Sequence, residues 1–246
     1  MGHATVSAQP RPAFYALRGG GWRDYVTLLH LPYTAWHLAY VAIGAALATR
    51  VDWTRLTLTL AAFFLALGIA AHALDELRGR PLRTEIPTGV LVGAATASLA
   101  GAVGIGLVVA RELPWLLAFV GTGLFLVLAY NLELFGGALH TDWWFAASWG
   151  GFPVLVGAFA QQDRITAAAA ITAAAATLLS LAQRRLSWFV RGLRRNVEDV
   201  TVHVRYSDGR SETQGRSELL APSEAALRLL SGTVVLLALG LLARQL

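Results

Sequence analysis

Apolar residues in this chain fall in unbroken blocks rather than amphipathic stripes, and seven blocks are about as long as a bilayer core is thick. They run from Leu31 to Ala48, Leu56 to Leu77, Pro87 to Ala110, Pro114 to Leu134, Asp142 to Ala160, Ile165 to Phe189 and Ala225 to Ala243. A helix that crosses the hydrocarbon needs roughly 20 such residues, because no water is available there to satisfy a broken backbone. With 56% hydrophobic and only 14% charged residues, the expectation is an all-α membrane protein of about seven transmembrane helices. Short connections between the first six make those helices antiparallel neighbours.

The charged residues then orient the chain. All 20 basic residues are arginine; a coding bias explains that choice, so the net charge of +5 gives no argument for a nucleic-acid partner. Fifteen arginines fall on the side shared by the amino terminus and the connections at 72–86, 131–142 and 183–218, against five on the other. The positive-inside bias therefore predicts a multi-pass protein of the cell membrane with a cytosolic amino terminus and an external carboxyl terminus. Residues 1–21, polar and holding Pro10 and Pro12, read as a flexible cytosolic tail. A six-helix core over 22–190 follows, then a cytosolic insert over 191–221 and a final span over 222–246. Within the insert, the alternation from Val200 to Tyr206 before Asp208-Gly209 predicts a small β-hairpin. Ser223 after Pro222 is the candidate cap of the last helix. The absence of cysteine excludes disulfides and thiolate metal sites.

Every chemically rich connection falls on the cytosolic side. His72, Asp75 and Glu76 end the second apolar block at i, i+3 and i+4, so an imidazole and two carboxylates can share one helical face. Ionisable groups at such depth are candidate functional groups. The same residues would also mark a simple water interface, pairing with Arg78, Arg80 or Arg83. As a site, they would hold a divalent cation, Mg²⁺ by the oxygen ligands, with Mn²⁺ or zinc as the alternatives that histidine introduces. Adjacent guanidinium groups would take phosphate charge. A second cluster, Asn131, Glu133, His140 and Asp142, lies between the fourth and fifth blocks and is expected to face the first across a cavity mouth. It reads equally as a headgroup-level belt. In the first block Tyr33, Trp36, His37 and Tyr40 recur at helical spacing, with His37 the candidate general base. The arginine run from Arg184 to Arg195 either anchors its helix to anionic lipid or turns inward as a phosphate clamp, for which Gln183 and Arg184 are best placed.

The run from Ala71-His72 through Asp75 to Pro87-Thr88-Gly89 resembles the first aspartate-rich region of the UbiA-type intramembrane prenyltransferases. Asp75 corresponds to the last aspartate of the family's N-D-x-x-D motif, His72 stands where its first aspartate would be, and Ala71 replaces its asparagine. Leu31-Pro32-Tyr33-Thr34 with Gly44-Ala45-Ala46-Leu47-Ala48, and Tyr130-Asn131 with Trp149-Gly150-Gly151, are similar to further landmarks of the family, over about residues 25 to 190. The family's second aspartate-rich motif is replaced here by Gln183-Arg184-Arg185, and its usual last pair of helices is missing.

The resemblance implies transfer of a prenyl group from a prenyl diphosphate to a lipophilic acceptor, or cyclisation of the diphosphate. His37, His72 and Asp75 would be the catalytic groups and His72, Asp75 and Glu76 the metal ligands. Arg78, Arg80, Asn131, Glu133, His140, Asp142, Gln183 and Arg184 would bind substrate. Two other classes fit the same residues: a non-catalytic relative that binds an isoprenoid, quinone or other lipid, and a metal-dependent membrane enzyme using His37, His72 and His140. Seven helices would leave an open flank for membrane lipid or a second subunit, a homo-oligomer.

Overall fold

In the computed structural model, residues 11–246 are described. They form a helical bundle carrying one two-stranded hairpin. After a strap over residues 11–20 that has no regular structure, α1 covers Trp22–Leu28 and α2 Leu31–Ala45. α3 covers Trp53–Leu77, α4 Thr88–Ala110 and α5 Leu116–Asn131. α6 runs over 142–162, α7 is Ala167–Arg195 and α8 is Arg216–Ala243. Between α7 and α8, β1 (Val202–Arg205) pairs antiparallel with β2 (Ser211–Gln214), as the alternation predicts. Gly209 supplies the positive φ that the turn requires.

Among the described residues, four helices are long and apolar enough to cross a membrane: Trp53–Leu77, Thr88–Ala110, Ala167–Arg195 and Arg216–Ala243. The other apolar elements are shorter or interrupted. α2 has 15 residues; His30, the residue before it, is held in the left-handed region, and Pro32 sits in the first turn. α5 has 16.

Helices meet backbone to backbone where glycine permits. α2 crosses the second half of α6, Phe152–Gln162, at a reciprocal pair: a Cβ on Gly44 would fall on the Val154 carbonyl, and one on Gly157 on the Val41 carbonyl. In a bilayer, where lipid tails are as apolar as leucine, such close approach is what holds helices together. Trp36, Tyr40, Val154, Ala173 and Val234 fill the adjoining core from α2, α6, α7 and α8. A second core, around Leu67, Leu91, Tyr130 and Trp149, joins α3 to α6.

Three expectations about element ends are corrected. α7 does not stop at Phe189 but continues to Arg195, which keeps its arginines in helical register. α8 starts at Arg216 rather than at Ser223, because Glu218 returns its carboxylate to the Gly215 N–H at 2.9 Å and begins the helix there. Pro222 is then accommodated inside it. The strap, expected to be a flexible tail, is packed: Ala13 and Ala16 are buried, and Phe14 and Tyr15 meet Tyr33 edge-on. The tail expectation for residues 1–10 lies outside the described residues.

Candidate functional site

Two helices of the bundle depart from α geometry, and both do so at the same place. Phe64–Ala71 in α3 and Ala147–Gly151 in α6 are π-helical. The wider i→i+5 turn re-aims the side chains around it and recurs at functional sites. Leu67, Ala71 and Trp149, all from these segments, line a polar cavity of about 300 Å³. Its walls are the start of α2 (His30, Tyr33, His37), the end of α3 (His72, Asp75, Arg78), the end of α5 (Tyr130, Asn131) and the last turns of α7. The strap closes over it with Pro12 to Tyr15. A wider mouth beside it is lined by Asp75, Arg78, Asn131, Glu133 and His140, which brings Asp75 of the first sequence cluster together with most of the second.

The α7 contribution follows from the helix running on to Arg195. Arg184, Arg191 and Arg195, at i, i+7 and i+11, share one face and line the cavity with Gln183 and Ser187. Arg184 donates to Asp142 at 3.1 Å and lies over the Phe145 ring at 4.9 Å. Arg195 donates to the Pro12 carbonyl at 3.2 Å. Arg191 makes no hydrogen bond or ion pair among the described residues. Asp75 is the one carboxylate that lines the cavity itself, and it too has no hydrogen-bond partner among them.

Three histidines are held alike. His37 Nδ1 donates to the Trp149 carbonyl at 2.8 Å, His72 Nδ1 to that of Gly68 at 3.1 Å, and His140 Nδ1 to that of Tyr130 at 3.1 Å. A carbonyl can only accept, so Nδ1 carries a proton, and in that tautomer the lone pair of a neutral ring is on Nε2. His30 stacks on His72 with centroids 3.9 Å apart, and its Nε2 is buried without a partner. Burial, then the neighbouring His72, holds the His30 imidazole well below its ordinary value. Burial likewise raises the Tyr15 phenol in the strap above its ordinary value. The Tyr130 hydroxyl is a second buried polar atom with no partner. Its ring stacks on His140 at 4.3 Å and meets Trp149 edge-on.

Several sequence candidates have other duties. Glu76 points away from the cavity: it is fully buried, and its two oxygens accept from Leu82 N at 3.0 Å, Thr84 N at 2.9 Å and Thr84 Oγ1 at 2.8 Å. It organises the loop after α3. Arg80 belongs to the same loop, donating to the Ile86 carbonyl at 2.6 Å and to Thr88 Oγ1 at 3.2 Å. Arg78 and Glu133 pair with each other at 2.8 Å across the mouth. Asp142 faces Arg184 and Arg185 rather than the open cavity. The expected trio of His72, Asp75 and Glu76 therefore does not fit a divalent cation, since one of its carboxylates is committed to the loop. Among the described residues no three His, Asp or Glu side chains form a group that could hold a metal.

Within the arginine run the sequence pointed to Gln183 and Arg184 rather than to Arg191 and Arg195, and it gave His30 and Tyr130 no role of their own. The spacing of the arginines was a readable signal, provided the helix was carried beyond Phe189. The strap carried no such signal.

An apolar pocket of about 100 Å³ adjoins the cavity between α3, α4, α5 and α6, walled by residues such as Phe63, Leu99, Val103 and Phe152. Leu67, Val127 and Trp149 are among its walls, and Leu67 and Trp149 line the polar cavity as well. Compared with known proteins, the chain matches no family model, no curated protein and no solved structure.

Proposed function

We propose that this chain is a membrane prenyltransferase of UbiA-like design, acting on a prenyl diphosphate and a lipophilic acceptor at a cytosol-facing cavity. The observation that carries this reading is the junction at Leu67 and Trp149, where an arginine-lined polar cavity meets an apolar pocket. That pairing suits an amphiphile with an anionic head and a hydrocarbon chain. With the diphosphate against Arg184, Arg191 and Arg195 and the chain in the apolar pocket, the reacting carbon lies near Trp149. The C–O bond breaks, and diphosphate leaves with the electron pair, its charge taken up by guanidinium groups in a water-poor site. The indole face stabilises the allylic cation. The acceptor supplies the electrons of the new bond, and its proton passes to His37 Nε2, whose ring is aimed by the bond to the Trp149 carbonyl.

In this reading α2, α5 and the interrupted α6 also cross the bilayer, completing seven spans. The strap and hairpin then face the cytosol and the carboxyl terminus lies outside, as the arginine distribution requires.

The test is incubation of the purified protein with radiolabelled prenyl diphosphates and membrane lipid extract, with Mg²⁺, Mn²⁺ or chelator, beside His37→Asn. Diphosphate release with a new lipid product, lost in the variant, is the expected outcome. Saturable isoprenoid binding without turnover would instead favour the second reading, a non-catalytic lipid-binding protein. That reading is supported by Gln183-Arg184-Arg185, which stands where the family resembled carries its second aspartate-rich motif.

A further inference from the structure

The cavity carries its charge in an unusual balance. Arg184, Arg191 and Arg195 line it from a single helix face, while Asp75 is its only carboxylate among the described residues. Arg184 has Asp142 as a partial counter-charge, and Arg195 has a main-chain carbonyl. Arg191, between them, makes no ion pair and no hydrogen bond among the described residues, and Asp75 reaches it only as a charge at longer range. Like charges gathered in a partly enclosed, low-dielectric space repel one another, and an anion that accepts from all of them relieves the repulsion. The Tyr130 hydroxyl is an independent indication. Its residue is only 7% exposed, it lines the same cavity, and its O–H has no acceptor. Leaving such a group unpaired is costly unless a ligand oxygen completes it. On the opposite wall the donors that a cation would need are depleted, because Glu76 is spent on Leu82 and Thr84.

We propose that the cavity binds the phosphate-bearing head of its lipid directly, through Arg184, Arg191, Arg195 and the Tyr130 hydroxyl, without a bridging divalent cation. Guanidinium forks suit this task because each presents parallel N–H donors to two phosphate oxygens and stays charged at any working pH. Asp75 then opposes anion binding rather than assisting it through a metal. The proposal rests on the reading of this cavity as a lipid-phosphate site and deepens it by assigning the headgroup contacts.

The experiment is a calorimetric titration of the detergent-purified chain in EDTA, with inorganic diphosphate, geranylgeranyl diphosphate and dioleoyl phosphatidate as separate probes. Each is repeated in Mg²⁺. Saturable binding of the prenyl diphosphate in EDTA, little changed by Mg²⁺, is expected. Arg191→Gln should weaken it by about tenfold or more, as loss of a charge-assisted hydrogen bond does. Arg191→Lys should recover part of the loss, and Asp75→Asn should tighten binding. The EDTA arm on the unaltered chain is decisive even where a variant folds poorly. Binding that requires Mg²⁺ and disappears in Asp75→Asn overturns the direct clamp and leaves the prenyl diphosphate reading standing. Binding of phosphatidate alone in EDTA supports the clamp and overturns that reading. No binding of any probe under either condition overturns both.

Discussion

Glu76 accepts hydrogen bonds from both the backbone N–H and the hydroxyl of Thr84, at 2.9 and 2.8 Å, eight residues further along the chain. The carboxylate next to Asp75 thus serves the loop, while Asp75 serves the cavity. Replacing Glu76 by alanine would strand the N–H groups of Leu82 and Thr84 in a buried position, and each stranded group costs about 1–3 kcal/mol. Glu76→Ala is expected to lower the unfolding midpoint in detergent markedly, with Thr84→Val intermediate. An unchanged midpoint in Glu76→Ala would contradict the loop role.

The crossing of α2 and α6 depends on Gly44 and Gly157 in a reciprocal manner, each facing the other helix's carbonyl oxygens. A methyl at either position has to push backbone rather than a mobile side chain. Gly44→Ala and Gly157→Ala should each cost about 1–3 kcal/mol or more through overpacking. Gly93→Ala, where a Cβ meets nothing within 4 Å, should be silent. Thermal aggregation profiles of the three variants in one detergent would check the order.

Arg194 and Glu224 form an ion pair at 2.5 Å between α7 and α8, with side chains only 17% and 11% exposed. Arg194 also donates to the Arg11 carbonyl, so the pair ties the strap to both helices. Glu224→Gln leaves a guanidinium poorly compensated, a change worth on the order of 3 kcal/mol when partners are buried. The expected result is faster proteolysis in 196–215, between the two helices. Cleavage at the unaltered rate would argue that the pair is incidental.

The strap bears on access to the cavity. Phe14 and Tyr15 pack on Tyr33, and Arg195 holds the Pro12 carbonyl beneath them. Because the chain has no cysteine, Ser187→Cys places a single thiol on the cavity wall, where Ser187 is buried. Its reaction with a charged maleimide should be slow, and faster once Phe14 and Tyr15 are both alanine. Equal rates in the two backgrounds would show that the strap does not restrict entry.

Some of this was determined by the sequence alone. Long apolar blocks dictate membrane helices, because backbone polar groups in hydrocarbon must bond within their own segment. The strand alternation before Asp208-Gly209 dictates the hairpin, because side chains on a strand repeat every second residue. The grouping of Asp75, Asn131, Glu133 and His140 at one mouth was legible because short connections return neighbouring helix ends to one side. Other features were decided only by tertiary structure. Asp75 and Glu76 are adjacent on the face that His72 marks, about 100° apart around the helix, so local geometry leaves open which of them the cavity receives. The choice was settled by the loop folding back on Glu76, a contact eight residues away that no local pattern encodes. The same holds for the strap and for Arg191. Their positions depend on which surfaces the finished bundle leaves uncovered, and that is a property of packed helices rather than of any segment within them.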